Sequence, residues 1–338
     1  MKRLFPLFLA CLLLIAPACA EGFRYSTQSV TDSANTNALY DVFYASGELA
    51  ESIPGCAEDV VPQGVGYLPQ EDWLLFSGYS SGGDRSSIIA VDRATDAIVK
   101  EIYLSNVDGT PYTGHAGGVC ATENNIYVAN AGTLYRISLD AYRALPAASE
   151  CSFEEAVPVP VTASYCNYSD GILWVGEFQY GGEYKTDASH KVKSDDGRYK
   201  AWCCGYVLDP VAEKELDVSA PNYILSTTER IQGMTVKNGE IYLSQSYGRR
   251  NLSMIYRYSN VLPNEPDATA ELNGQTVPIW CLDSGVQLGA IVAPPMTEGL
   301  CTVGDAVCVL FESAAAKYMD PEKPSANPID QVFMLTAF

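Results

Sequence analysis

Residues 117–130, with the sequence GGVCATENNIYVAN, decide the fold. A pair of small residues leads into a short apolar strand, a polar turn follows, and a second strand of apolar and aromatic residues ends the stretch. The same order occurs four more times, at residues 63–76, 163–175, 232–243 and 298–310. Turn pairs such as Asp170-Gly171 and Asn238-Gly239 suit the positive φ angles of a tight hairpin, so each copy predicts a β-hairpin.

A third apolar strand follows each hairpin, and the copies recur along most of the chain. These third strands lie at residues 88–92, 134–137, 204–209, 255–258 and 332–335. We therefore predict an all-β fold, a β-propeller of five four-stranded blades whose inner strands start near residues 64, 118, 164, 233 and 299. An irregular β-sandwich would explain the strands but not their repetition.

The last copy ends at Phe338, directly after its third strand, so its outer strand must come from elsewhere. Residues 23–50 are the available donor, with Phe23-Arg24-Tyr25 and Val42-Phe43-Tyr44 as strand-like segments. Pairing this segment with the last blade would close the ring and remove an exposed sheet edge. A sixth, degenerate blade in the same segment is the open alternative.

The composition is that of a folded protein, with 338 residues, 47% hydrophobic and 18% charged. The net charge is −20 and the isoelectric point is about 4.4. An acid excess of this size argues against a nucleic-acid partner, because that affinity comes from Lys and Arg on phosphates.

The amino terminus has the layout of a secretory signal. Lys2 and Arg3 precede the apolar run 4–15, and Ala18-Cys19-Ala20 predicts cleavage before Glu21. A transmembrane helix is the alternative, but the run is shorter than the roughly 20 apolar residues that a bilayer needs. Residues 15–19 also resemble a lipoprotein cleavage box, with a lipid on Cys19. We expect a secreted or extracytoplasmic domain, residues 21–338, that touches a membrane only through such a lipid.

Nine cysteines remain after cleavage, an odd number for an oxidising compartment. Cys203-Cys204 could form a strained vicinal disulfide, but we favour two half-buried residues on a strand. Small residues recur at one place in the inner strands, namely Gly66, Cys120, Cys166, Thr235 and Cys301. We interpret them as packing around the propeller axis, with a thiol metal site as the alternative.

The loops that enter each inner strand and leave each second strand open on one face of a propeller, and together they form a mouth. The predicted ligand-binding residues there are Gln63, Tyr79, His115, Asn130, Glu177, Phe178, Arg230, Gln232, Gln245, Ser246, Glu298 and Glu312. Two long inserts, residues 179–200 and 314–330, flank the mouth and are candidate carriers of function. His115 is a candidate base or ligand, or a structural residue of its turn, whereas His190 is interpreted as a surface residue.

The carboxylates of the mouth allow two kinds of chemistry. Glu177, Glu298 and Glu312 offer oxygens that suit Ca²⁺ or another divalent cation, with Asn130 and Gln232 beside them. A pair of these acids could instead perform general acid–base catalysis, and Glu298 and His115 are the candidate catalytic residues. Common hydrolase and phosphate-binding motifs are absent from the sequence.

The stretch 117–130 and the pair Glu298-Gly299 resemble the NHL, SMP-30/gluconolactonase and YVTN group of propellers. The resemblance implies a divalent cation in the central channel of a lactonase, held by Glu, Asn and Asp. Only Glu298 and Asn130 match that ligand set, and no matching Asp is evident; such enzymes also have six blades. The chain looks equally like exported bacterial propellers without an assigned role.

Three functions therefore remain open. The first is an exported propeller that binds an extracellular glycan, peptide or small molecule at the mouth. The second is a metal-dependent lactonase or other hydrolase, with the cation on Glu298 and Asn130. The third is a non-catalytic scaffold that contacts proteins through its outer blade surfaces.

Overall fold

Antiparallel hairpins dominate the computed structural model, which describes residues 22–212, 214–216 and 220–338. The amino-terminal segment contains a 3₁₀-helix, Ala38–Tyr40, the helix α1, Asp41–Ala45, and the strand β1, Gly47–Ser52. Apart from one two-stranded ribbon, the strands of the described residues, β1 included, form five sheets arranged around a common axis, so the predicted five-bladed propeller is confirmed.

Each of blades 1 to 3 starts with its inner strand and adds strands outwards, but blades 1 and 3 also recruit outer strands from later in the chain. Blade 1 therefore has five strands and blade 3 has six, instead of the predicted four. Blade 1 comprises β2 (Val60–Leu68), β3 (Trp73–Ser80), β4 (Ser87–Asp92), β5 (Ala97–Ser105) and β9 (Ala148–Ser152). Blade 2 comprises β6 (Gly118–Ala121), β7 (Asn125–Asn130), β8 (Thr133–Ser138) and β10 (Glu155–Pro158). Blade 3 comprises β11 (Tyr165–Ser169), β12 (Ile172–Gly176), β15 (Ala201–Val207), β16 (Tyr223–Thr227), β21 (Gln275–Cys281) and β20 (Ala268–Leu272).

Blades 4 and 5 each contain four strands. Blade 4 comprises β17 (Ile231–Lys237), β18 (Glu240–Gln245), β19 (Ser253–Tyr258) and β22 (Gln287–Ala293). Blade 5 comprises β23 (Thr297–Val303), β24 (Ala306–Phe311), β25 (Gln331–Leu335) and β1. Elements outside the blades are the helix α2 (Leu139–Ala144), the 3₁₀-helices Ala188–His190 and Ala316–Tyr318, and a ribbon formed by β13 (Val192–Ser194) and β14 (Gly197–Tyr199).

The inner strands contact one another in the cyclic order β2, β6, β11, β17, β23 and back to β2. Glycines make this close approach feasible. A Cβ atom on Gly118 would lie 2.3 Å from the backbone nitrogen of Cys166, and one on Gly64 would lie 2.6 Å from the Cα of Gly118. The small residues at the start of each repeat therefore let neighbouring blades touch through their backbones.

The hairpin turns adopt the geometry that the sequence predicts. Asp170 and Gly171 have φ values of 52° and 77°, and Asn238 and Gly239 have 53° and 75°. Two successive positive φ angles define a type I′ turn, which matches the twist of the strands that it joins.

The amino-terminal segment closes the ring, as predicted, because β1 pairs antiparallel with β25. Residues 42–44 belong to α1 instead of the donor strand, and the ring of Phe43 packs on Phe333 with 4.2 Å between centroids. The described part of the amino-terminal segment holds one strand and no sixth blade. Glu101 and Asp330 accept backbone hydrogen bonds from residues 24–25 and 30–31 and fix the rest of the segment.

The channel is narrow at the face opposite the mouth. Asn167 donates a hydrogen bond to the carbonyl of Leu300 across the axis, at 3.1 Å, and Thr235 and Thr302 share a hydrogen bond of 2.9 Å. A cavity of about 190 Å³ remains there, and Gly66, Cys120 and Cys301 contribute to its wall. Three of the five small residues therefore line this cavity, while Cys166 packs in a core cluster instead.

All nine cysteines of the described residues are free. Cys203 and Cys204 are buried on opposite faces of β15, in two different core clusters, as expected for successive strand residues. The predicted signal, with Cys19, lies outside the described residues. Within the described ranges, no helix is long and apolar enough to cross a membrane.

Candidate functional site

The loops that enter four of the five inner strands contain a residue other than glycine in the left-handed region. These residues are Ala116 (φ 50°), Ala163 (φ 50°), Arg230 (φ 63°) and Met296 (φ 68°). In blades 4 and 5 the carbonyl of this residue accepts the N–H of the loop leaving the second strand, from Ser246 at 2.9 Å and from Glu312 at 3.1 Å. In these two blades a backbone hydrogen bond therefore joins the entry loop to the exit loop at the mouth, and its acceptor is a residue in a constrained backbone conformation.

The side chains of Glu298 and Glu312 lie next to each other beside this backbone hydrogen bond in blade 5. Glu298 lies in β23 and Glu312 follows β24, and their carboxyl groups are hydrogen-bonded to each other. Gln232 donates to Glu298 at 3.0 Å, and Gln63 donates to Glu312 at 2.9 Å. Four residues predicted separately from four loop segments therefore form one cluster.

The two carboxyl groups differ in environment. Glu298 is 3% exposed, and burial together with the adjacent carboxylate of Glu312 raises its pKa well above the usual range. Burial also raises the pKa of Glu312, to about 7, although hydrogen bonds from Tyr318, Gln63 and Glu298 oppose the rise. At neutral pH the more buried Glu298 therefore keeps its proton, while Glu312 is close to its midpoint and loses its proton as the pH rises above 7.

Tyr318 and Lys317 extend this cluster towards the rim. The hydroxyl of Tyr318 donates to Glu312 and is hydrogen-bonded to Tyr79. The ammonium of Lys317 donates to the hydroxyl of Tyr79 at 2.6 Å and lies over the rings of Tyr79 and Tyr318, 4.9 Å and 5.3 Å from their centroids. A chain of hydrogen bonds thus connects the carboxyl pair to an exposed cation.

His115 lies beside this chain and keeps one side exposed. Its ring is 4.6 Å from that of Tyr79, centroid to centroid, and its backbone N–H donates to Asn130 at 3.2 Å. Partial burial and the nearby ammonium of Lys317 lower the pKa of His115. The imidazole is therefore neutral at pH 7 and could accept a hydrogen bond from a ligand.

Aromatic side chains form a wall on another side of the mouth. The ring of Tyr247 lies 4.3 Å from Tyr180, 6.2 Å from Phe178 and 6.4 Å from Tyr184. Most of this wall comes from the insert 179–200 and the residue before it. Such a surface suits the face of a sugar or another flat group.

Arg230 and Gln245 lie next to this wall and line a separate cavity of about 380 Å³. The guanidinium of Arg230 lies over Tyr180, 5.5 Å from its centroid. Ser246, by contrast, is 3% exposed and bonds to Ser253, so the structure places it beneath the mouth surface.

Glu177 does not join the other acids. It is fully buried below the insert, where it accepts hydrogen bonds from the backbone N–H of Trp202 at 3.0 Å and from Nδ1 of His190 at 2.6 Å. His190 is 4% exposed and stacks on Trp202 at 3.9 Å, so its interpretation as a surface residue is wrong. The polar composition of the insert concealed that this histidine anchors it to blade 3.

The residues matched to a channel cation do not form a donor set for one. Asn130 uses its carbonyl oxygen to accept the N–H of His115, while Glu298 is engaged by Gln232 and Glu312. The part of the chain that the structure describes contains no group of three or more His, Cys, Asp or Glu side chains able to hold a metal ion. The residues present therefore do not fit the cation that the propeller resemblance implies.

Sequence reasoning missed Lys317, Tyr318 and Met296. For Lys317 and Tyr318 the available signal was the long insert 314–330, which was identified as a candidate functional loop without a choice among its residues; Met296 carried no such signal. The contact of Tyr318 with Glu312 depends on how the insert folds back through the 3₁₀-helix Ala316–Tyr318, which the repeat pattern does not describe.

No family model matches the chain, and no curated protein is similar to it. Solved structures that resemble it include a gluconolactonase of Xanthomonas campestris, with 9% identity, a TM-score of 0.36 and coverage of 88% of this chain and 92% of that one. A GH43_1 enzyme of Xanthomonas citri gives 10% identity, a TM-score of 0.47 and the same coverages. Glutaminyl cyclase of Myxococcus xanthus gives 10% identity and a TM-score of 0.44, with coverage of 85% of this chain and 94% of that one. These likenesses are too distant to bear on function.

Proposed function

We propose that this protein is an exported hydrolase that binds a small carbonyl compound, an ester or a lactone, at the mouth and uses Glu298 and Glu312 as acid and base. The observation that carries the proposal is the hydrogen-bonded contact between the two carboxyl groups. Two carboxyl groups that share one proton supply a donor and an acceptor at the same pH, which general acid–base catalysis requires.

The proposed reaction has two steps. The carboxylate of Glu312 takes a proton from water while the water oxygen bonds to the carbonyl carbon, and Glu298 gives its proton to the carbonyl oxygen. The tetrahedral intermediate then collapses. Glu312 passes its proton to the leaving oxygen as the carbon–oxygen bond breaks, and Glu298 recovers its proton from the intermediate's hydroxyl group, which yields the acid and the alcohol.

The neighbouring side chains support these roles by position and charge. Gln63 and Gln232 hold the two carboxyl groups from opposite sides through their amide N–H groups. The hydroxyl of Tyr318 favours the ionised form of Glu312, as does the nearby ammonium of Lys317. Both effects keep a base available at neutral pH despite burial.

Ligand binding without turnover is the second candidate, and the aromatic wall favours it. Tyr180 and Tyr247 offer stacking surfaces whatever the carboxyl pair does. A binding protein needs no shared proton, so the two functions differ in what happens when one carboxyl group is replaced.

The test uses the mature protein, residues 21–338, with a panel of lactones and small esters, and follows proton release in weak buffer. We expect turnover that falls about 100-fold or more in Glu298→Gln and in Glu312→Gln, because each removes one partner of the acid–base pair. Glu183→Gln removes an exposed carboxylate from the insert and should stay within about twofold of the parent. Equal rates in all four proteins, or binding of panel compounds without turnover, would exclude the hydrolase.

A further inference from the structure

A second polar cavity, of about 380 Å³, lies between the insert 179–200 and blade 4. Arg198 and Lys200 reach it from the ribbon side, and Arg230 and Gln245 from blade 4. From this cavity we infer an oxyanion-binding site that takes a sulfate, phosphate or carboxylate group of a small molecule. This inference does not depend on the hydrolase proposal.

Charge is the first argument. The chain has 41 acidic and 21 basic residues, yet four bases lie within the ten residues 191–200. Lys193 and Arg198 stand directly opposite each other in the ribbon. Like charges in that relation destabilise a strand pair, and a bound anion would offset the repulsion.

The two acids that line the cavity, Asp196 and Glu229, both have partners. Asp196 accepts hydrogen bonds from the backbone and side chain of Ser284, and these bonds lower its pKa. Glu229 pairs with Nη2 of the adjacent Arg230 at 3.1 Å and is therefore the carboxylate with which an anion at Arg230 would compete. Among the described residues, neither Arg198 nor Lys200 has a carboxylate within ion-pair distance.

Arg230 supplies the most specific observation. Its Nε is buried and has no hydrogen-bond partner in the described structure. Its backbone is fixed on both sides, because its N–H donates to Gln179 at 2.9 Å and its carbonyl accepts from Ser246 at 2.9 Å. Nη2 of the same guanidinium is paired with Glu229, so an oxyanion that displaces this carboxylate would accept from both Nε and Nη2 and satisfy Nε.

The cavity adjoins the aromatic wall, because Arg230 stacks over Tyr180 and Tyr180 packs on Tyr247. A ligand held by its oxyanion at Arg230 would therefore present its remaining part to Tyr180. The ligand class that fits is a small molecule with one oxyanion group next to a ring.

The test is thermal unfolding of the mature protein against sodium sulfate, sodium phosphate and sodium glucuronate, with ionic strength held constant by sodium chloride. We expect a saturable rise in the unfolding midpoint for at least one of these anions in the parent protein, and the anion that gives it distinguishes the three sources. Arg230→Gln should weaken that binding roughly tenfold or more.

Arg250→Gln is the matched control, because it removes an exposed positive charge from the same blade without touching the cavity. It should bind the anion as the parent does. If Arg230→Gln fails to fold, Arg198→Gln and Lys200→Gln test the site instead. Both positions are exposed, so these variants should fold, and each should weaken anion binding. A linear rise that is equal in all variants, or no rise with any of the three anions, would overturn the site.

Discussion

The carboxyl group of Glu298 is hydrogen-bonded to that of Glu312, across the end of the hairpin that forms the inner half of blade 5. The N–H of Glu312 donates to the constrained carbonyl of Met296, two residues before Glu298, which fixes the two chains at this point. The contact is therefore part of the hairpin's geometry and does not depend on the loops of the rim.

The first prediction concerns pH and stability. The pKa of Glu312 is raised to about 7, so the folded protein binds more protons than the unfolded chain at pH values between its usual pKa and 7. Protonation of Glu312 therefore adds to the free energy of unfolding. The added free energy is at most roughly 3 kcal/mol; it is fully present below the usual pKa and is lost as the pH rises through about 7. Glu312→Gln should remove that part of the decline.

The measurement is urea unfolding of the parent and Glu312→Gln between pH 5 and 8. Glu183→Gln serves as the control and should keep the slope of the parent protein. An unchanged slope in Glu312→Gln would show that this carboxyl group does not titrate in the stated range.

The second prediction concerns Tyr318, whose hydroxyl stabilises the ionised form of Glu312. Tyr318→Phe removes that hydrogen bond, so the pKa of Glu312 should rise further. The pH at which stability starts to fall, and the acid limb of any kcat/KM profile, should both move to higher pH. Tyr184→Phe, at a 43% exposed position on the aromatic wall, should move neither.

The third prediction concerns divalent cations. Because Glu298 and Glu312 share a proton and Asn130 is engaged by His115, we expect the unfolding midpoint at pH 7 to be the same with calcium and with chelator. A shift specific to one ion, absent in Glu298→Gln, would restore the metal site expected from the propeller resemblance.

The fourth prediction concerns ring closure. Phe43 is fully buried and packs on Phe333 and Phe311, where it holds the donor strand against blade 5. Phe43→Ala should lower the free energy of unfolding by about 3–5 kcal/mol. Val42→Ala, at a 68% exposed neighbouring position, should change it by less than about 0.5 kcal/mol. Similar effects of the two substitutions would contradict the proposed closure.

The architecture was predictable because it repeats. Each hairpin carries its own turn signal, such as Asp170-Gly171, and small residues such as Gly118 mark the places where blades touch. The origin of the outer strand of blade 5 was predictable because the last repeat contains only three strands, so the amino-terminal segment had to supply the fourth. Its location at 47–52 did not follow, because residues 42–44 have the composition of a strand but pack as a helix against Phe333.

The site was predictable only in part. Repeat positions identified Gln63, Gln232, Glu298 and Glu312 as mouth residues, and the structure brings these four together. The same logic placed Glu177 with them, although the insert buries it against His190. The contacts that an insert makes depend on how it folds back onto the blades, and the repeat pattern carries no information about the conformation of an insert.

The most direct test of the shared proton is infrared spectroscopy of protonated carboxyl groups as a function of pH, in the parent, Glu298→Gln and Glu312→Gln. It needs neither a substrate nor a ligand. In the parent protein one carboxyl group should lose its proton near pH 7, this step should be absent in Glu312→Gln, and a second proton should persist to higher pH unless Glu298 is replaced. Complete ionisation of both groups by pH 5.5 in the parent protein would contradict the carboxyl pair and the hydrolase built on it.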